Sequence, residues 1–190
     1  YLNFILTGQL FMEAGDASGT GLFDVRRRSW SNAMLSVLDP DRDLRACLPP
    51  LIASEASGGP ITADIARRYG LPESARVASG GGDNMMAAIG TGCVEEGVFS
   101  VSLGTSGTVF AYSRTPVIDE AGVIAAFCSS TGGYLPLACT MNCTVASELT
   151  RKLFDVSVAE LEPRARLAPR GAAGLITLPF YVGERTPNLP

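Results

Sequence analysis

The glycine run at residues 80–82, followed at once by Asp83, constrains the fold of this chain more than any other feature. It separates an apolar, strand-like run at residues 76–79 from a helical pattern at residues 84–89. Glycine lets a backbone adopt positive φ or come close to a ligand. The Asp83 carboxylate could cap the helix, stabilising it by about 1 kcal/mol. It could equally stand at a cleft edge and accept a proton from a substrate hydroxyl during phosphoryl transfer. The spacing alone does not choose between these readings.

Helical and strand patterns alternate along the chain, which indicates an α/β fold. We predict helices at residues 1–6, 31–38, 60–69, 84–89, 143–154 and 158–167. We predict strands at residues 76–79, 98–102, 108–112, 123–127, 134–139 and 175–178. Gly8 and Gly70 stand where helices should end, and Pro60 stands in a first helical turn. The pattern changes from helix to hairpin near residues 94–97, which we predict to be a domain boundary.

Composition excludes several classes of function. The net charge of −4, from 15 basic and 19 acidic residues, offers no basic surface for nucleic acid. No apolar run approaches the ~18 residues of a membrane span, and the five cysteines fit reduced thiols in a cytoplasmic protein. The sequence has no histidine and only one lysine, Lys152, and it lacks a Walker-type phosphate loop. Acid–base chemistry must therefore fall to aspartate or glutamate.

Two further segments could bind ligands. The loop Gly104-Thr105-Ser106-Gly107 lies between two alternating runs, as in a β-hairpin. Its small residues could leave N–H groups free to cradle a phosphate, or it could be an ordinary tight turn. The second segment, at residues 183–187, contains a Glu-Arg pair. This pair is either a structural ion pair or part of a ligand site.

Taken in order, these segments resemble the FGGY family of carbohydrate kinases. The resemblance rests on residues 78–84, 102–107 and 178–187, and on residues 6–8 and 16–24 with Trp30 after them. It runs from the first residue to the last, and within the family it is strongest to the xylulose kinases. Residues 126–133 lack the histidines that xylulose kinases usually carry there.

The resemblance implies an actin-like, ribonuclease-H-like kinase of two domains with sugar and ATP in the cleft between them. Residues 1–95 would be the C-terminal part of the N-terminal, sugar-binding domain. Residues 96–190 would be the first part of the C-terminal, nucleotide-binding domain. An opening phosphate loop and an adenosine segment would lie outside the sequence, so we expect these residues alone to lack kinase activity.

The resemblance also assigns roles to residues. Asp83 would be the general base and would face the sugar together with Asn84. Gly104, Thr105 and Ser106 would lie near the transferred phosphates of ATP. Mg²⁺ would bridge those phosphates, and no residue of this chain is assigned to the metal.

The expected reaction is ATP-dependent phosphorylation of D-xylulose to xylulose 5-phosphate in the cytoplasm. Alternatives are a kinase for ribulose, fuculose, gluconate or glycerol, or a module that binds sugar or nucleotide without turnover. The expected partners are small molecules only, with no nucleic acid or membrane, and a homodimer is possible.

Overall fold

The computed structural model describes residues 1–181, 183–186 and 188–189. Its helices are α1 (Leu2–Thr7), α2 (Ala14–Ala17), α3 (Asn32–Leu38), α4 (Ala63–Tyr69), α5 (Asp83–Gly90), α6 (Thr144–Leu153) and α7 (Val158–Arg166). Its first six strands are β1 (Met12–Glu13), β2 (Phe23–Asp24), β3 (Ser29–Trp30), β4 (Leu51–Ile52), β5 (Ser57–Pro60) and β6 (Arg76–Ala78). The other four are β7 (Phe99–Leu103), β8 (Gly107–Ala111), β9 (Ala125–Cys128) and β10 (Tyr134–Thr140). None of the helices in these described ranges has the length and apolar character that crossing a membrane requires.

The largest sheet has four antiparallel strands in the order β7-β8-β10-β9. Strands β7 and β8 form the predicted hairpin, with Val101 opposite Val109 and Leu103 opposite Gly107. The other strands form small pairs: β1 lies parallel to β4, while β2 with β3 and β5 with β6 are antiparallel. The hairpin prediction is confirmed, and the strands predicted near β9 and β10 are present with bounds shifted by one or two residues.

One hydrophobic core joins α5 to the large sheet. Met85 and Ala88 of α5 are buried against Phe110 of β8 and against Leu135 and Leu137 of β10. Burying a large apolar side chain contributes about 1.5–3 kcal/mol. These contacts therefore fix the helix that follows the glycine run onto the sheet that carries the hairpin loop.

A second core joins α2 to the same sheet. Ala17 of α2 is buried with Phe23, Trp30 and Cys128, the last residue of β9. The Phe23 and Trp30 rings meet edge to face, with centroids 6.0 Å apart and planes at 88°. This arrangement is the favourable one for aromatic pairs. Both α2 and α5 are thus anchored to one sheet.

Local signals predicted several helix ends correctly. Helix α1 ends at Gly8 with φ of 74°, and α4 ends at Gly70 with φ of 65°. The Ser31 hydroxyl accepts the N–H of Met34 at 3.3 Å and caps α3. In each case the residue supplies what a helix end lacks, either a left-handed backbone or an acceptor for a free N–H.

The predicted start of the fourth helix is wrong. Pro60 belongs to strand β5 and lies opposite Arg76, whereas helix α4 begins at Ala63. The Thr62 hydroxyl caps this helix by accepting the N–H of Ile65 at 3.4 Å. Proline is compatible with a first helical turn, but the helix begins where Thr62 supplies a side-chain acceptor for a free N–H.

The strand predicted at residues 175–178 is also wrong. Within the described residues this segment pairs with no strand, and Leu175, Ile176 and Leu178 are exposed. A short apolar run becomes a strand only where a neighbouring strand supplies hydrogen bonds. The sequence pattern could not show that no such neighbour was present.

Replacing Gly58 with alanine is expected to destabilise the protein by about 1–3 kcal/mol, the usual cost of overpacking a core. Gly58 is buried in β5, and a Cβ there would overlap the ring of the buried Phe11. The measurement is denaturant unfolding of the purified protein. Gly90→Ala is the matched control, because a Cβ at Gly90 meets no atom within 4 Å. Equal stability of the two variants would contradict the prediction.

Candidate active site

Asp83 is the first residue of helix α5 and is exposed. The capping position belongs to Gly82, so of the two readings of Asp83 the one in which its carboxylate caps the helix is wrong. Asp83 Oδ1 accepts two hydrogen bonds from Asn84, one from its backbone N–H at 2.7 Å and one from its side-chain Nδ2 at 3.2 Å. The hydrogen bonds found in the described part of the chain leave Oδ2 available. An exposed carboxylate held at one oxygen can receive a proton at the other.

The glycine run packs closely against side chains of neighbouring segments. A Cβ at Gly81 would lie 3.0 Å from Ser130 Oγ and would overlap the end of Met86. A Cβ at Gly15 of α2 would lie 2.9 Å from the same hydroxyl. The turn after β9, the glycine run and α2 therefore meet at Ser130. A side chain at residue 81 would therefore press on Ser130 and displace the flexible end of Met86.

A buried carboxylate fixes α2 in this junction. Glu13 is 1% exposed and accepts the N–H groups of Gly15 at 2.8 Å and Asp16 at 2.6 Å. It also accepts the Ser54 hydroxyl at 2.7 Å. Such charge-assisted bonds are stronger than neutral ones. The sequence analysis did not single out Glu13, because glutamate is not one of the residues that usually cap a helix.

The hairpin loop is exposed and is docked onto the start of α6. The Gly104 carbonyl accepts the N–H of Thr144 at 2.9 Å and its hydroxyl at 2.7 Å. The Thr105 carbonyl accepts the N–H groups of Cys143 at 3.2 Å and Val145 at 3.3 Å. In a trans peptide group, the N–H of the following residue points in the opposite direction to the carbonyl. The carbonyls of Gly104 and Thr105 point toward α6, so the N–H groups of Thr105 and Ser106 point away from it. These two N–H groups are available to an anion.

Two cavities lie near these regions. Asn84 lines a groove of about 370 Å³ together with Arg185 and eight other residues. A second cavity of about 150 Å³ is lined by Leu103 and Gly107, which flank the hairpin loop. The two share Thr108, Cys139 and Thr186, but the strand pairing places Leu137 of the groove and Val109 of the second cavity on opposite faces of the sheet. Asp83 and the loop residues Gly104, Thr105 and Ser106 line neither cavity, so the structure does not bring the predicted site residues together in one cavity.

Glu184 holds the segment at residues 183–186 against the sheet. It is 3% exposed and accepts hydrogen bonds from Thr140 Oγ1 and from the N–H of Met141. It also accepts the N–H of Asn142 at 3.2 Å, its Nδ2 at 3.0 Å and the N–H of Arg185 at 2.7 Å. Burial acts to raise the pKa of this carboxyl. The hydrogen bonds outweigh burial and hold the pKa well below its ordinary value.

Of the two readings of the Glu184-Arg185 pair, the ion pair is wrong, because no salt bridge joins the two side chains in the described ranges. Glu184 binds the backbone of Arg185, whose guanidinium instead contacts Cys139 Sγ at 3.8 Å. Val182 and Pro187, which belong to the segment singled out in the sequence, lie outside the described residues.

Two hydroxyls near the site were missed by the sequence analysis. Ser130 Oγ and Thr108 Oγ1 are buried and have no hydrogen-bond partner among the described residues. Ser130 lies against the glycine run, and Thr108 lines both cavities. No local sequence signal marks such residues, because their burial depends on strands distant in the chain.

The described ranges contain no cluster of metal ligands. No group of three or more His, Cys, Asp or Glu side chains there could hold an ion.

Comparison with known proteins places this geometry in a family. Residues 1–90 match the N-terminal domain of the FGGY family of carbohydrate kinases. A xylulose kinase of Haemophilus influenzae is 46% identical over 190 residues, which is 100% of this chain and 38% of the relative. A ligand-bound xylulose kinase and a gluconate kinase, both from Lactobacillus acidophilus, have TM-scores of 0.89 and 24% identity. Each alignment covers 98% of this chain and 38% of the solved one.

The structural neighbours establish the fold, which is the actin-like α/β fold of sugar kinases. The chain spans well under half the length of the relatives it matches. The division into parts at residues 1–95 and 96–190 stays a prediction. With a family match over residues 1–90 and a relative aligned along the whole sequence, the chain belongs to the FGGY family of carbohydrate kinases.

Proposed function

We propose that the protein containing this chain transfers the γ-phosphoryl group of ATP to a hydroxyl of D-xylulose, giving xylulose 5-phosphate. The observation that carries the proposal is the 46% identity to the Haemophilus influenzae xylulose kinase along the entire chain. The exposed carboxylate of Asp83, adjacent to Asn84 of the groove, supports it. We further propose that the reaction takes place in the cytoplasm and that its partners are small molecules.

Asp83 acts as the general base in this proposal. Its Oδ1 is held by the backbone and side-chain N–H groups of Asn84, which fixes the orientation of the carboxylate. The free Oδ2 accepts the proton of the sugar hydroxyl as that oxygen attacks phosphorus. Phosphoryl transfer needs such a group mainly to orient the nucleophile and to remove its proton.

The hairpin loop holds the phosphate end of ATP. The outward N–H groups of Thr105 and Ser106, with the two hydroxyls of these residues, offer hydrogen bonds to phosphate oxygens. Gly104 allows the backbone to approach without a side chain in the way. The loop therefore binds the phosphates by hydrogen bonds from peptide groups and hydroxyls and needs no lysine.

Mg²⁺ enters the proposal as part of the ATP complex, where it offsets charge on the phosphate oxygens. The described part of this chain has no cluster of ligands for it, and we assign no residue to the metal. The roles given to Asp83 and the hairpin loop do not depend on which residues complete its coordination.

A kinase for another sugar is the second candidate. The gluconate kinase and the xylulose kinase of Lactobacillus acidophilus fit this chain with equal TM-scores of 0.89, so the fold does not select the sugar. Residues 126–133 also lack histidine, which xylulose kinases usually carry there. Identity along the sequence favours xylulose.

The test is coupled ADP release by the full-length protein. It would receive Mg²⁺-ATP with D-xylulose, ribulose, fuculose, gluconate or glycerol in turn. We expect kcat/KM for D-xylulose to exceed that for every other compound by at least about tenfold. A different preferred sugar would support the second candidate. ADP release that no sugar stimulates would refute both and favour a binding module.

A further inference from the structure

Glu13 is a buried carboxylate that no cation accompanies within the described ranges of the chain. It is 1% exposed, and none of the salt bridges found there includes it. A buried charge without an ionic partner is costly unless hydrogen bonds satisfy it. Both of its oxygens accept such bonds, from the N–H groups of Gly15 and Asp16 and from the Ser54 hydroxyl. The fold therefore keeps this charge where three donors converge.

The reach of the Glu13 side chain exceeds what a helix cap requires. Helix α2 has only four residues, and the shorter side chain of aspartate or serine is the usual cap for such N–H groups. Glutamate reaches further, to Ser54 in the segment that follows β4. Strands β1 and β4 are parallel, with Glu13 opposite Ile52, so their carboxyl ends meet at one edge of the pair. At this edge Glu13 links α2 to the segment after β4.

A buried serine continues this link to the glycine run. Ser79 is 5% exposed, and its hydroxyl donates to the Ser54 carbonyl. Glu13 thus holds Ser54 by its hydroxyl, and Ser79 holds the same residue by its carbonyl. Buried hydrogen-bond networks whose members are all paired make a structure rigid. Because Ser79 directly precedes residues 80–82, the network fixes where the glycine run begins.

The far end of the glycine run packs against helix α2. A Cβ at Gly82 would lie 3.9 Å from Asp16 Cα, and a Cβ at Gly15 would lie 3.0 Å from Met85 Cγ. Asp83 lies between Gly82 and Met85 in the chain, so α2 touches the backbone or side chains on both sides of it. In a close-packed interior, a shift of one element displaces the element that it touches.

From these contacts we propose that Glu13 is a positioning residue for phosphoryl transfer, which sets the place of the Asp83 carboxylate through Ser79 on one side and through α2 on the other. The inference rests on the proposed kinase function. Glu13 is buried and acts through these contacts rather than on the substrate. The hydrogen bonds to the Asp83 side chain come from its neighbour Asn84, so its place depends on the backbone around it. A reacting group misplaced by about 1 Å can lose ~10²-fold in rate.

The experiment measures kcat for Glu13→Gln and Glu13→Asp in the full-length protein, at a temperature where circular dichroism shows each variant to be folded. We expect Glu13→Gln to lower kcat by about 10–100-fold, because glutamine offers one acceptor oxygen to donors that now use two. Aspartate can still cap α2 but is too short for Ser54, so its rate should lie between the two. A wild-type rate for Glu13→Asp would make Glu13 a helix cap only and would overturn the proposal.

The Asp83→Asn background separates positioning from general damage. The proposed base is already absent there, so we expect Glu13→Gln to lower the residual rate by less than about threefold, since residues that act as a unit are not additive. Multiplicative losses would overturn the proposal, because Glu13 would then act independently of Asp83. Glu160→Gln is the matched control and should match the wild type. Glu160 also accepts an N–H and a hydroxyl, both of Ser157 at 2.8 Å, but it lies exposed on α7.

A variant with a single broken link covers the case in which Glu13→Gln does not fold. Ser79→Ala removes the bond to the Ser54 carbonyl and leaves the Glu13 carboxylate fully bonded. We expect this variant to lower kcat by more than about threefold through misplacement of the base, and a rate closer to the wild type overturns the proposal.

Failure of the inference differs from failure of the proposed function. Wild-type protein that turns over D-xylulose, with Glu13→Gln within about threefold of it, overturns only the role of Glu13. Wild-type protein that turns over no sugar overturns the kinase proposal and the role of Glu13 in transfer together.

Discussion

Replacing Asp83 with asparagine in the full-length protein is expected to lower kcat by about 10²–10⁴-fold, the usual contribution of general acid–base catalysis. Asparagine keeps the size of the side chain and can still accept the N–H of Asn84, but it cannot take up a proton. Binding of D-xylulose should be partly retained. Coupled ADP release gives the rate, and calorimetry gives the affinity for the sugar.

Asp64→Asn is the matched control for this substitution. Asp64 is also an exposed aspartate in the first turn of a helix, but it lies on α4 rather than directly after the glycine run. Any general effect of removing a negative charge from a helix start will appear in both variants. A loss below about tenfold for Asp83→Asn, ~1.4 kcal/mol of barrier, would argue strongly against its role as base.

Replacing Glu184 with glutamine is expected to lower the thermal midpoint of the protein and to release the segment at residues 183–186. The carboxylate accepts hydrogen bonds at both oxygens, from Thr140, Met141, Asn142 and the N–H of Arg185. Glutamine offers one acceptor oxygen and points an NH₂ group at donors that are already buried. Unpaired buried donors are costly, so we expect the alanine variant to be less stable still. Differential scanning fluorimetry measures the change.

The same carboxylate predicts a dependence on pH. Its pKa in the folded protein is below the ordinary value of 4.5, so Glu184 contributes stability that is fully present above about pH 4.5. The contribution is lost as pH falls from there toward the lower folded-state pKa. Wild type should therefore lose more stability than Glu184→Gln between pH 5 and pH 3. Glu120→Gln, at an exposed position, is the control and should follow the wild type. Equal acid sensitivity of wild type and Glu184→Gln would contradict the assignment.

The parts of the fold that depend on local chemistry could be predicted from the sequence. Gly8 and Gly70 end helices because each supplies a left-handed residue, and Ser31 begins one because it supplies an acceptor. The helix after the glycine run and the hairpin at residues 98–112 also depend on neighbours along the chain. The family resemblance adds the prediction that these segments contribute to one site.

The parts that depend on distant partners could not be predicted. The run at residues 175–178 has the composition of a strand but lacks a neighbour to pair with in the described chain. One reading of Glu184 was half of an ion pair, whereas its donors are the N–H of Arg185 and groups of Thr140, Met141 and Asn142, more than 40 residues away in sequence. Thr108 stands in the groove only because β8 pairs with β10. Such relations exist only after the chain has folded.

The packing of α5 on the large sheet determines how this part of the protein unfolds. Met85 and Ala88 share one core with Phe110, Leu135 and Leu137, so the helix cannot detach without exposing apolar surface on both sides. Amide hydrogens of α5 and of β8 and β10 should therefore exchange with solvent in one cooperative opening, as residues of a single folding unit do. The carboxylate at the start of α5 and the strand that follows the hairpin loop are attached to that unit. Local fluctuation of α5 alone is suppressed, so the proposed base keeps its position relative to β8 until the unit as a whole unfolds.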